Sequence, residues 1–249
     1  MRATWTICKR EVYAFFISPL AYVVMTAWLL LSGYSFYSLA RWFAANPFQT
    51  SASDTLLGAF FGETTLFYLP ILFFVPVFTM RLLAEERSRG TIETLMTAPV
   101  SDSAIVLGKY LASLAVWVAL WIPTLLYVWL ASRYGSVDLG AVATSYVGVL
   151  GIGAYYMAIG TLMSAIARNQ IVAAILTFLA LCGLFLAGLG MYLFGDEYRE
   201  VFAYISIWGH MEAFSTGILD SRYLAFDVTV AALAVTLAVA VLSARRVEE

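Results

Sequence analysis

Long runs of apolar residues, separated by short polar stretches, dominate the chain. A bilayer hydrocarbon core of about 30 Å takes about 20 helical residues. Six runs reach that length, at residues 19–40, 56–80, 105–132, 141–167, 171–194 and 225–243. Their apolar residues are consecutive, which excludes the alternating pattern of barrel strands. The pattern predicts an all-α integral membrane protein with six transmembrane helices in one domain, residues 1–249.

Composition and charge support this fold and predict its orientation. Hydrophobic residues make up 62% of the chain and charged residues 12%, with a mean hydropathy of +0.86, which excludes an ordinary soluble domain. If both termini are cytoplasmic, ten of the 14 Lys and Arg residues lie on the cytoplasmic side. Because cytoplasmic loops of membrane proteins are enriched in these residues, we expect both termini in the cytoplasm.

The residues before the first run predict an N-terminal amphipathic helix. Trp5, Val12 and Phe15 are interleaved with Lys9 and Glu11, a pattern typical of a helix that lies in the inner membrane interface. The step from residue 18 to residue 19, Ser-Pro, is expected to end it. A simple extension of the first span is the alternative.

A charged stretch, residues 81–103, separates the second and third runs. The second helix is predicted to continue out of the membrane to residue 88. Glu85 and Glu86 precede Arg89 by four and three residues, so both are placed to pair with it. Gly90 is then expected to end the helix.

A second short helix, residues 91–98, is predicted after this break. Thr91 supplies an N-cap, Glu93 lies at the positive end of the helix dipole, and Pro99 ends the helix. A helix held between two breaks is a rigid projection that suits a cleft on a cytosolic partner. A solvated connecting loop explains the same spacing, and the residue pattern does not separate the two interpretations.

The loop between the fifth and sixth runs carries apolar residues at helical spacing. The pattern predicts helices in the outer interface, with Tyr204 and Trp208 at headgroup depth. Such a helix would act either as a lid over a transport pathway or as a passive belt around helix ends. The single histidine, His210, has no Cys, Asp or second His at ligand spacing, so we expect a structural role for it.

Glu63 is the acidic residue expected inside an apolar run, near the outer end of the second one. A charge inside the membrane indicates a functional site, here in a pathway or gate. A carboxylate at this depth also reaches the headgroups along its own side chain, and this second interpretation stays open.

Three stretches of the chain carry a resemblance to a known family. EERSRGTIETLMTAP at residues 85–99, followed by Lys109, resembles the cytoplasmic signature of type-2 ABC exporter permeases. SPLAY at residues 18–22 and SAIARNQIVAA at residues 164–174 are similar to the gliding-motility-associated branch of that family.

The resemblance implies a transmembrane permease subunit of an ATP-driven ABC transporter in a bacterial inner membrane. It would perform export or mechanical work. Residues 91–98 would be its coupling helix, with Glu85, Glu86 and Gly90 before it. ATP and magnesium would bind to a separate cytosolic ATPase, and this chain would hold no cofactor or metal. The chain agrees on this point, since Gly108-Lys109-Tyr110 lacks both the preceding glycine and the Ser or Thr of a phosphate-binding loop.

Further partners are implied by the resemblance alone. The permease would pair with a second copy of itself or with a related permease, and form half of a pore. The closer branch implies an auxiliary membrane subunit with a large outer-side domain. The apolar runs fit lipids, glycans or peptides as substrates, and also a complex that moves no molecule.

Two other function classes compete with this one. A gradient-driven secondary transporter or channel needs several ionisable groups at mid-membrane, and Glu63 is the one candidate in the sequence. An intramembrane enzyme needs a nucleophile with a base or a metal cluster. One histidine without converging carboxylates argues against it.

Overall fold

The computed structural model describes residues 2–46, 55–62, 68–91, 100–135, 137–193 and 196–248. Over these residues the chain is α-helical and contains no β-strand. A 3₁₀ turn, Ile122–Thr124, interrupts the helical stretch Asp102–Tyr134. The described helices are α1 (Arg2–Ile17), α2 (Pro19–Ala45), α3 (Leu56–Gly62), α4 (Ile71–Thr79), α5 (Ala84–Ser88), α6 (Asp102–Trp121), α7 (Leu125–Tyr134), α8 (Leu139–Ile166), α9 (Gln170–Leu193), α10 (Asp196–Ile205), α11 (Ile207–Ser215) and α12 (Ser221–Glu248).

Five helical stretches among the described residues are long and apolar enough to cross a membrane. They are Pro19–Ala45, Asp102–Tyr134, Leu139–Ile166, Gln170–Gly190 and Ser221–Arg245. Each coincides with one of the six predicted spans, so the prediction of an all-α membrane protein is confirmed. Asp102–Tyr134 contains α6, the 3₁₀ turn and α7, because Pro123 cannot donate a helical hydrogen bond.

The predicted span over residues 56–80 is not one continuous helix. α3 ends at Gly62, a turn occupies Leu69 and Pro70, and α4 begins at Ile71. Pro70 has no backbone N–H and restricts the residue before it, which favours a turn there. Residues 63–67, with Glu63, lie outside the described part of the chain.

Polar residues at helix ends explain several helix boundaries. α1 ends at Ile17, and α2 begins with Pro19 after Ser18, which has extended backbone. Proline suits the first helical position because that N–H has no partner within the helix. The predicted break at Ser18 and Pro19 is therefore confirmed.

The start of α8 is capped by a side chain in the same way that many helices begin. Asp138 Oδ1 accepts hydrogen bonds from the N–H groups of Gly140 and Ala141.

The core of the bundle is arranged around α8, which packs against α4, α6, α9, α11 and α12. Glycines let these neighbours approach closely. A Cβ added to Gly153 would lie 2.0 Å from Trp117 Nε1 on α6, and one added to Gly160 would lie 2.4 Å from Thr79 Oγ1 on α4. The glycine face of this helix is thus a packing surface.

The hairpin of α10 and α11, called the outer hairpin after its predicted side of the membrane, is packed into the bundle. Trp208 on α11 is only 7% exposed, and its ring lies 4.6 Å from the ring of Phe185 on α9. The ring of Trp208 therefore contacts protein, and its predicted position at headgroup depth stays a prediction. Its apolar neighbours on α11, among them Met211 and Phe214, face α8 and α3 and are fully buried.

Candidate functional site

The candidate coupling site begins at α5, directly before the predicted coupling helix. α5 ends at Ser88, and Gly90, two residues further on, has a φ of +70°. The Gly90 N–H donates to the Arg87 carbonyl at 3.1 Å, and the Thr91 N–H donates to the Glu86 carbonyl at 2.9 Å. These two bonds form the Schellman motif, in which glycine readily adopts the left-handed backbone conformation. Gly90 therefore stops a helix as predicted. The prediction that the second helix continues to residue 88 is wrong, since α4 ends at Thr79 and α5 is a separate helix that begins at Ala84.

Two of the predicted site residues form an ion pair on the exposed side of α5. Arg89 Nη2 lies 2.6 Å from Glu85 Oε1, as the spacing of four residues predicts. The predicted pair between Glu86 and Arg89 is not seen. Glu86 lies one position further round the helix and faces the bundle, where it contacts Arg10 and Lys109.

The ionic cluster consists of Arg10, Glu11, Glu86 and Lys109, and it joins three helices. Lys109 Nζ on α6 lies 3.0 Å from both Glu11 Oε1 on α1 and Glu86 Oε1 on α5. Arg10 Nη2 lies 2.8 Å from Glu11 Oε1 and 3.1 Å from Glu86 Oε1. Two cations and two anions give no net charge. The cluster thus fixes the position of α5 relative to the N-terminal helix and the third span.

Lys109 is the buried centre of this cluster. Its side chain is only 1% exposed, whereas Glu11 and Glu86 are 19% and 17% exposed. A lysine buried to this degree needs anionic partners close by. The helices come together here because Gly108 has no side chain, and a Cβ at that position would lie 2.9 Å from Ile7 on α1.

The opposite side of α5 is attached to the end of α8. Ser164 Oγ accepts hydrogen bonds from the N–H groups of Leu83 at 3.0 Å and Ala84 at 3.1 Å. Arg87 Nη1 donates to the carbonyl of Ala165 at 3.1 Å and also to that of Ala167. These bonds satisfy polar groups at the ends of both helices. α5 is therefore held on both sides.

The structure describes only part of the predicted coupling segment. Glu93, Pro99 and residues 92–98 of the predicted coupling helix lie outside the described residues. The Thr91 hydroxyl donates to the Glu86 carbonyl at 3.2 Å, so Thr91 contributes to the end of α5. α6 begins at Asp102, where the Ser101 hydroxyl accepts a hydrogen bond from the Ala104 N–H.

The predicted pathway residues lie apart from the coupling site. Tyr204 is partly buried and its ring lies 5.7 Å from that of Tyr223. A cavity of about 680 Å³ opens between the end of α2, α3, α7 and the start of α8. Phe36, Leu57 and Val142 are among its lining residues, and neither Tyr204 nor Trp208 is.

Sequence reasoning missed a buried acid and base pair near the outer hairpin. His210 Nδ1 on α11 lies 3.2 Å from Asp227 Oδ1 on α12, and both side chains are fully buried. The sequence interpretation found no Cys, Asp or second His at ligand spacing from His210 and expected a structural role for it. α12 begins at Ser221, so Asp227 lies in its second turn, facing Gly151 of α8.

The ionic cluster makes stability depend on pH through Glu11. Burial opposes ionisation of Glu11, but Lys109 and Arg10 outweigh it and lower the pKa of Glu11 from its ordinary value of 4.5. A lowered pKa in the folded state stabilises the protein above pH 4.5, and this contribution is lost as pH falls through the lowered value. We expect thermal unfolding in detergent between about pH 5 and about pH 3 to show a shallower decline for Glu11→Gln than for the wild type.

The matched control for this pH series is Glu212→Gln, which removes an exposed carboxylate of α11. That variant should keep the wild-type decline. Equal declines for the wild type and Glu11→Gln would contradict the prediction.

Comparison with known proteins places the chain in a family. Residues 10–248 match the family model described as ABC-2 family transporter protein. A search of curated proteins gave no match. The matched range includes all five candidate spans, the ionic cluster and the outer hairpin. The chain therefore belongs to the ABC-2 transporter family, as a multi-pass membrane permease.

Proposed function

We propose that this permease couples ATP hydrolysis by a separate cytosolic ATPase to export or to mechanical work across the membrane. The observation that carries the proposal is the attachment of α5 to three other parts of the bundle, combined with the family match over residues 10–248. ATP and magnesium bind to the partner, and this chain supplies no ATP site.

The proposed topology has six spans with both termini in the cytoplasm, in a bacterial inner membrane. Residues 56–80, which contain α3 and α4, form the second span. α1 lies in the inner interface, where Trp5 and Tyr13 are exposed opposite the face that packs on α6. This arrangement puts α5 and the ionic cluster on the cytoplasmic side, where an ATPase can reach them.

The proposed coupling route runs from the ATPase to three helices. ATP binding brings two ATPase subunits together, and each subunit moves one coupling helix. This helix comprises residues 91–98, with Glu93, and Pro99 ends it. α5 precedes this segment, and Glu86 transmits the movement to α1 through Arg10 and to α6 through Lys109. The hydrogen bonds at Ser164 transmit it to α8. The ionic cluster suits the transmission of movement because its ion pairs make α1, α5 and α6 move together.

A second permease, either another copy or a relative, completes the pathway in this proposal. α2 supports it, because one face of this helix packs on the bundle through Trp28 and Ser32, and the other exposes Tyr22, Leu30 and Tyr34. The outer hairpin with Tyr204 and Trp208, and Glu63, are candidates for closing the outer side. The gliding-motility branch and its auxiliary outer-side subunit remain part of the proposal through the sequence resemblance.

A gradient-driven transporter is the second candidate function, and the buried His210 and Asp227 pair favours it. Ionisable groups inside a bundle often mark proton pathways. Among the described residues, however, the Asp227 carboxylate has no hydrogen-bond partner that would extend the pair into a relay. This isolation supports the ATP-driven function.

The test is recovery of the ATPase with the permease from native membranes in mild detergent. Arg89→Glu reverses a charge that is 70% exposed and leaves the ionic cluster intact. Replacing an interfacial attraction by repulsion costs more than about 1.4 kcal/mol, so we expect at least about tenfold less ATPase. Mass spectrometry identifies the recovered subunits, and an ATPase assay measures their activity.

Two further variants make this experiment selective. Glu85→Lys with Arg89→Glu keeps the ion pair on α5 but reverses its direction, and it should also lose the ATPase. Arg133→Glu changes an exposed charge at the far end of the third span and should recover the ATPase normally. A stable wild-type complex without any ATPase would contradict the proposal and favour gradient-driven transport.

A further inference from the structure

The buried pair of His210 and Asp227 joins three helices at the outer hairpin. His210 Nδ1 lies 3.2 Å from Asp227 Oδ1, with both side chains 0% exposed. His210 Nε2 lies 2.9 Å from the carbonyl oxygen of Tyr204, near the end of α10. The imidazole therefore stands between a carboxylate on α12 and a backbone carbonyl of the hairpin.

These two contacts determine how many protons the pair holds. A carbonyl oxygen only accepts hydrogen bonds, so Nε2 carries a hydrogen. If the imidazole were neutral and Asp227 ionised, the Nδ1 lone pair would face a carboxylate, and the two acceptors would repel each other. One further proton removes the repulsion. It sits either on Nδ1, which then donates to the carboxylate, or on Asp227, which then donates to Nδ1.

The surroundings favour the form that holds this proton. Three rings enclose His210, with centroid distances of 4.5 Å to Tyr223, 5.6 Å to Phe226 and 6.5 Å to Tyr155. The second carboxylate oxygen fits only because residue 151 is glycine, where an added Cβ would lie 2.4 Å from Oδ2. With the proton the pair has no net charge. Without it, one negative charge is buried in a site with little water, which costs several kcal/mol.

Other titratable groups near the pair do not replace the proton. α8 contributes the phenols of Tyr155 and Tyr156, α12 that of Tyr223 and α10 that of Tyr204, and phenols are uncharged at neutral pH. Arg222, in the first turn of α12, is exposed and already binds Asp220, with Nη2 and Oδ2 2.8 Å apart. Glu212 on α11 is exposed and adds negative charge.

We propose that His210 and Asp227 form a proton-binding site that fastens the outer hairpin to α12. The proton comes from solvent when the hairpin packs against the bundle, and it returns to solvent when the hairpin loosens. Because the packed state holds one more proton than the loosened state, falling pH favours packing and rising pH opposes it. The inference concerns the fastening of the hairpin and does not depend on the proposed coupling to an ATPase.

The test measures amide hydrogen exchange of residues 207–215 in the purified full-length protein at about pH 6 and about pH 9, as protection relative to intrinsic exchange at each pH. The protection factor of the wild type should be at least about tenfold lower at the higher pH than at the lower pH. Asp227→Asn should keep equal protection at both, because a side-chain amide donates to Nδ1 without binding a proton. Asp220→Asn, which removes a partly buried carboxylate that pairs with Arg222, should respond as the wild type does.

A second measurement needs no variant, because His210 is the single histidine of the chain. With ¹⁵N-labelled histidine and a purification tag free of histidine, the Nδ1 resonance reports on the pair directly. It should shift in the pH range in which protection is lost, since both proton-bearing forms involve Nδ1. A wild-type protection change below about twofold, an unshifted Nδ1 resonance, or a response of Asp227→Asn like that of the wild type would overturn the proposal.

Discussion

Replacing Lys109 by Met is expected to lower the free energy of unfolding by about 3 kcal/mol. Lys109 Nζ lies 3.0 Å from a carboxylate oxygen of Glu11 and 3.0 Å from one of Glu86. Met fills a similar volume but leaves these half-buried carboxylates facing each other, with only Arg10 to balance them. Thermal unfolding in detergent would show the loss as a midpoint lowered by about 6–12 °C.

Two comparisons separate this effect from a general loss of lysine. Lys9→Met makes the same chemical change at an exposed position of α1, where Nζ lies 5.3 Å from the centre of the Trp5 ring. It should cost at most about 1 kcal/mol. Combining Lys109→Met with Glu11→Gln and Glu86→Gln removes all but one charge of the ionic cluster, and stability should return to within about 1 kcal/mol of the wild type. A Lys109→Met midpoint equal to that of Lys9→Met would show that the cluster contributes little.

The ionic cluster also shows where sequence reasoning stops. The pairing of Glu85 with Arg89 and the helix stop at Gly90 depend on residues within one helical turn, so the sequence alone was enough to predict them. The partners of Lys109 are not local, since Glu11 lies 98 residues away along the chain. Spacing carries no information on such a contact. A lysine within seven residues of the start of a long apolar helix was the one available signal that it needs an anion.

The same distinction explains the outer hairpin. The period of apolar residues correctly predicted helices between the fifth and sixth spans, but it predicts only which face is apolar. It does not tell whether lipid or protein covers that face. Trp208 contacts Phe185 on α9 because the hairpin folds into the bundle. His210 meets Asp227 for the same reason. Asp227 lies inside the predicted run at residues 225–243, and a carboxylate in such a run was the one available signal that it needs a partner.

The break in the second predicted span had a local signal that the length of the run concealed. Pro70 and Pro76 both lie within residues 56–80, and proline interrupts helical hydrogen bonding. An apolar run is enough to predict membrane insertion, because transfer into lipid depends on composition. Continuity of one helix also depends on backbone hydrogen bonds, and the structure places a turn at Pro70.

Gly153→Ala is expected to destabilise the protein by about 2 kcal/mol or more, through one added methyl group. An added Cβ would lie 2.0 Å from Trp117 Nε1. The indole has no room to retreat, since Trp117 is 1% exposed and its N–H donates to the Val149 carbonyl on α8 at 3.1 Å. Either α6 and α8 move apart or this hydrogen bond is lost. The thermal midpoint should fall by about 4–8 °C.

Gly183→Ala is the matched control, because it adds the same methyl group to another long apolar helix. Gly183 on α9 is exposed, and nothing lies within 4 Å of an added Cβ. Alanine favours helix by up to about 1 kcal/mol over glycine, so this variant should be as stable as the wild type or slightly more stable. A difference between the two variants assigns the loss to the contact of α6 with α8. Equal midpoints would mean that α6 and α8 separate at little cost, and that close packing of α8 contributes little to the stability of the bundle.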